Sequence, residues 1–127
     1  MIVFVPCHDA ATEANLAVAE KILTEDSRPL FKDRATPAEL LAALDREEVP
    51  LFAMAHGRPN ALLAQDWKTG LSEDNVSVLG GRSVFAYACH TAGTLGREAA
   101  RRGAVWWGYM GAIQSPDSSA VLLPVFV

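Results

Sequence analysis

Apolar residues along this chain gather in short uninterrupted runs, separated by stretches with helical spacing. Ile2 to Val5, Leu51 to Ala55, Val84 to Ala88 and Val105 to Met110 are apolar, or nearly so, at consecutive positions. Strand-length runs without polar alternation suit strands buried on both faces of a parallel sheet. Leu30-Phe31 predicts a further short strand. Ala14, Val18 and Ile22 recur at i, i+4 spacing and predict a helix to about Leu23, capped by Asp9 or Thr12. Thr36-Pro37-Ala38-Glu39 combines a capping threonine, a proline at the first helical position and the glutamate of a capping box. It opens a helix with Leu40, Leu41 and Leu44 on its buried side.

Residues 58–70 show no period and read as a loop. Ser72 is expected to open a short helix ended by Gly80-Gly81. Thr94 to Arg102 predicts another, with arginines in its last turn and Gly103 as its stop. Ser115-Pro116-Asp117 marks a last helix start, running into Ala120 to Leu123 before Pro124 interrupts it. Alternating strands and helices predict an α/β fold, a three-layer sandwich around a mostly parallel sheet.

With 127 residues, half of them apolar and a fifth charged, the chain is expected to fold as one domain with a real core. The net charge of -4 and a basic cluster confined to Arg97, Arg101 and Arg102 argue against nucleic acid as a partner. Two cysteines, each beside a histidine, make no disulfide framework and read as reduced thiols of a cytoplasmic protein. Met1 to Pro6 lacks the basic leader of a signal peptide. No run reaches the roughly 18 apolar residues of a membrane span.

Two strands end abruptly in reactive side chains followed by glycine. One gives His56-Gly57 and the other Cys89-His90-Thr91-Ala92-Gly93. Chemistry in parallel sheets gathers at the carboxyl ends of the strands. Histidine is the side chain most easily poised as a base near neutral pH, and a thiol before a helix start is a candidate nucleophile. The 33-residue separation fits one crossover between neighbouring strands. Each residue also has a plain reading, as a strand-end histidine bonded to a loop carbonyl and a buried thiol. Cys7-His8 closes the first strand, but without Cys-x-x-Cys or His-x-x-x-His spacing no metal site and no cofactor are expected. In Trp106-Trp107 one ring should be buried and the other should face outward.

On these segments the chain resembles the caspase-like cysteine peptidases, a group including caspases, metacaspases and bacterial CHAT-type domains. Leu30 to Thr36 is similar to the segment before the family's second helix. Ala55-His56-Gly57 is similar to its catalytic histidine-glycine. Leu79 to Phe85 resembles the approach to its fourth strand, Ala88 to Gly93 the nucleophile segment, and Gly103 to Tyr109 the strand that follows. The resemblance implies peptide-bond hydrolysis with Cys89 as nucleophile and His56 as general base and acid. It further implies an oxyanion hole from the backbone N–H groups of Gly57 and Cys89.

This chain departs from the family at two points. Tyr87 stands where metacaspases carry an aspartate that helps bind a basic substrate side chain. Asp9 is the remaining acidic candidate for a pocket wall, besides its capping role. Asp66, between the two motifs, reads as a solvated loop residue. The chain also stops where the family pattern continues, and Leu122 to Val127 is apolar. That predicts a second chain or a homo-oligomer formed through this region. Two other functions stay open: an inactive caspase-like interaction module, and a doubly wound domain binding a small ligand at its strand ends. A glycine-rich dinucleotide fingerprint would favour the latter, but Pro6-Cys7-His8-Asp9 follows the first strand instead.

Overall fold

A computed structural model describes residues 1–113 of the protein. Five parallel strands form the central sheet: β1 (Ile2–Val5), β2 (Arg28–Phe31), β3 (Leu51–Met54), β7 (Ser83–Tyr87) and β8 (Val105–Trp107). Their order across the sheet is β2-β1-β3-β7-β8. The consecutive apolar residues serve two faces at once. Ile2, Phe4, Leu51, Ala53, Val84 and Ala86 enter one buried cluster, and Val3, Val5, Phe52, Met54 and Phe85 enter another. Helix α1 (Ala10–Ile22) packs Leu16, Val18 and Ala19 onto the second cluster. Helices α2 (Pro37–Arg46) and α3 (Leu95–Arg101) cover the first. The fold is therefore α/β, with helices on both faces of a mostly parallel sheet.

The helix starts predicted at Asp9 and at Thr36 form. Asp9 caps α1 in a reciprocal box: its Oδ1 accepts from Thr12 N at 2.9 Å, while Thr12 Oγ1 accepts from Asp9 N at 3.0 Å. Thr36 caps α2 by accepting from Glu39 N at 3.1 Å, with Pro37 in the first turn. Gly103, at φ 102, follows the end of α3 as expected. The buried side of α1 keeps Val18 of the expected stripe, with Ile22 packed beside it, but is wider, with Thr12, Asn15, Leu16 and Ala19 also inward and Ala14 only half-buried.

The segment read as a loop is a second, antiparallel sheet: β4 (Gly57–Arg58), β5 (Ala61–Leu63) and β6 (Thr69–Ser72). Ala61, Leu62, Leu63 and Leu71 are buried, and Leu62 and Leu71 join the cluster that α2 covers. The strands are too short to show a period. Their hairpin turns through Pro59-Asn60 without a positive φ, so the usual Asn-Gly signal is missing. Ser72 ends β6 instead of opening a helix, and a single 3-10 turn follows at Val76–Leu79. The last strand ends at Trp107, short of Met110, with Trp106 packed on the core and Trp107 exposed. The helix expected from Ser115 and the apolar residues 120–127 lie outside the described residues.

Candidate functional site

Strand order decides which side chains meet. From β1 the chain first moves to one side, to β2, and then returns past β1 to β3 and β7. The direction reverses between β1 and β3, which is where open α/β sheets form ligand crevices beyond their carboxyl ends. Cys7, His8 and Asp9 leave β1 at this point and His56 leaves β3 beside it. The adjacent register Leu51↔Val84 to Met54↔Tyr87 brings Cys89 to the same edge, two residues beyond the end of β7.

His56 Nε2 lies 2.6 Å from Asp9 Oδ2. Both side chains are about 30% exposed, so the pair is partly shielded from water. Partial burial pushes the Asp9 carboxyl up, but hydrogen bonds from Thr12 and His56 outweigh it and hold the group at about 2. An ionised carboxylate only accepts, so Nε2 of His56 is its protonated nitrogen and Nδ1 is left as the basic one.

Gly57 brings the two strand ends into contact. A Cβ built there would stand 2.4 Å from Cys89 O, 2.6 Å from Thr91 Cγ2 and 2.9 Å from Ala88 Cβ. Only glycine permits this approach of the His56-Gly57 backbone to Ala88-Cys89. Pro59 O then accepts from Thr94 N and Leu95 N at the start of α3, which fastens the β4–β5 hairpin to the helix after Cys89.

Cys89 is half-buried. Residues 109–113 run back along it: Tyr109 O accepts from Ala92 N, Gly111 O from His90 N, and Ile113 N donates to Cys89 Sγ at 3.4 Å. His90 has φ 62, a left-handed conformation that costs a non-glycine residue about 1 kcal/mol or more. Strain of this kind directly after a candidate nucleophile is typical of functional turns. The other thiol, Cys7, is pushed up by burial and then by the charge of Glu13.

His8, at the end of the first strand, joins the site, and so does Trp67, which no sequence period marks. Trp67 stacks on His56, with ring centroids 4.4 Å apart, and on His8 at 4.7 Å. His8, adjacent to Asp9, accepts from Asp66 N at Nδ1 over 2.9 Å. Asp66 thus has a structural place through its backbone. The ligand atoms of His8, Asp9 and His56 lie within 4.8 Å of one another. They suit a cation poorly, because the Asp66 N–H occupies the Nδ1 lone pair of His8 and so leaves the proton on Nε2. Tyr87 is half-buried, edge-on to Tyr109 at 5.6 Å, and His90 Nδ1 lies 3.3 Å from Met110 O.

A cleft of about 530 Å³ lined by Leu44, Glu48, Val78 and Arg82 lies at the opposite, amino end of β7. The Arg82 guanidinium there is spent on the carbonyls of Leu44, Glu47, Val49 and Leu79. Among the described residues, no helix is long and apolar enough to cross a membrane. No protein-family model, curated protein or solved structure matches this chain.

Proposed function

We propose that the protein is a cysteine endopeptidase of caspase-like type, with Cys89 as nucleophile and His56 as its base. The observation that carries this reading is that His56 is held through Nε2 on Asp9 while Gly57, directly after it, lies against the Cys89 backbone at the same sheet edge. In the proposed reaction Cys89 Sγ attacks the scissile carbonyl while its proton passes to His56 Nδ1. The tetrahedral oxyanion is met by the N–H groups of Gly57 and Cys89. The C–N bond then breaks, His56 returns the proton to the leaving amine, and a thioester remains. Water, deprotonated by His56, hydrolyses that thioester and frees the thiol. Asp9 stabilises the imidazolium formed in both steps. With its carboxylate engaged by Thr12 and His56, it serves this role better than that of a substrate pocket wall. No cofactor is required. A peptide or protein is the proposed substrate, Tyr87 borders its pocket, and the cytoplasm is the proposed compartment.

The test combines thiol labelling with peptide turnover. Limiting iodoacetamide at neutral pH is expected to label Cys89 before Cys7. Cys89→Ala should abolish hydrolysis of a mixed peptide library, and His56→Ala should lower it about 100-fold or more. The double variant should be scarcely worse than either single one, because residues acting as a unit are not additive. Turnover surviving in either single variant would remove the dyad. Preferential labelling of Cys89 without turnover of any peptide would favour the interaction module.

A further inference from the structure

We infer that Trp67 is a positioning residue for His56, its indole face fixing the imidazole so that Nε2 stays on Asp9 and Nδ1 is kept for Cys89. The inference rests on the dyad reading above and adds a residue to it. A single hydrogen bond to Asp9 holds His56 at one point and leaves the ring free to swing about that contact. A face contact removes this freedom. The indole and imidazole planes are inclined by 22°, with centroids 4.4 Å apart. His8 lies against the same indole at 4.7 Å, and its plane differs from that of His56 by 8° at 5.7 Å. The two imidazoles therefore share one aromatic support.

The support is itself anchored. Gln65 pairs with the Cys7 backbone, accepting from its N–H at 2.8 Å and donating to its carbonyl at 3.0 Å. Asp66 N donates to His8. The segment carrying Trp67 is thus fastened to the end of β1, which also carries Asp9. Core packing does not explain the residue, since Trp67 is 53% exposed and belongs to neither buried cluster. Asp66 and Trp67 also occupy the left-handed region consecutively, at φ 58 and 64. A large aromatic side chain kept in an unfavourable backbone conformation, and half in water, is kept for the rings it touches.

Trp67→Phe and Trp67→Ala test the assignment. The Ala variant is expected to lose about 10- to 100-fold in kcat with KM little changed, as misplacement of a reacting group does. The Phe variant should recover most of the loss, and both should melt near the wild-type temperature. Two readouts need no substrate. The His56 ring protons, shielded by the indole face, should move downfield in Trp67→Ala and stay upfield in Trp67→Phe. The rate of Cys89 alkylation should fall in Trp67→Ala and return in Trp67→Phe. This ordering in a chain that cleaves no peptide would leave the positioning role standing and remove the peptidase reading. Unchanged ring shifts and alkylation rates in Trp67→Ala would overturn the inference, as would a loss confined to KM.

Discussion

Asp9 meets two demands with its two carboxylate oxygens, one toward the first turn of α1 and one toward His56. The first was legible in the sequence, because an aspartate before an amphipathic stretch reads as a cap. The second was not, since it requires β3 to lie beside β1, and strand order leaves no local trace. His56 and Cys89 were legible through their strand ends. Trp67 carried no signal, because its position depends on two left-handed residues that no period reports. The carboxyl of Asp9 is held at about 2, below an ordinary 3.8. A depressed carboxyl contributes stability that is fully present above the ordinary value and is lost as pH falls through the depressed one. Asp9→Asn keeps a good cap but carries no charge. Its stability deficit against wild type should therefore be largest at neutral pH and shrink between pH 3.8 and about 2. Urea unfolding of both proteins across that interval measures it. A deficit independent of pH would mean that the carboxylate is not selectively stabilised in the fold.

At the scale of elements, α1, α2, α3 and the parallel strands follow from local signals, and the small β4–β5–β6 sheet does not. Its strands run two to four residues, and β5 and β6 gain stability by burying Leu62 and Leu71 in the cluster that α2 covers, a tertiary effect invisible to periodicity. Arg82 shows another long-range device. It precedes β7, and its guanidinium donates to Leu44 O and Glu47 O at the end of α2 and to Val49 O before β3. Partial burial lowers its pKa while leaving it cationic. A cation at a helix carboxyl end opposes the partial negative charge there. Arg82→Ala strips these carbonyls of a charged donor and should cost about 2 kcal/mol or more. Arg82→Lys should recover only part, because an ammonium lacks the planar fork. Equilibrium denaturation reads both. A loss within about 0.5 kcal/mol for the Ala variant would place Arg82 among ordinary surface residues.

For the whole molecule, helices on both faces of the sheet were legible from the uninterrupted apolar strands, while the edge strands had to be seen. β8 lies at one end of the five-strand order and is only three residues long. Its neighbourhood presents Val105, Trp107 and Met110 to water, at 47%, 61% and 62% exposure. Trp106, between the first two, turns inward, so alternation puts every outward position of the strand in apolar hands. Among the described residues β8 has no outer neighbour, and such an edge with apolar side chains is a template for another chain. Short length tempers this, since three residues offer few ladder bonds. Weak, concentration-dependent self-association is the expected result. Light scattering should show a rising mass for the wild type and a smaller rise for Trp107→Lys. The variant should melt at the same temperature, because the ring it replaces already lies mostly in water. The mass of one chain at every concentration for both proteins would mean that this edge is tolerated in solution and that a partner, if one is needed, docks elsewhere.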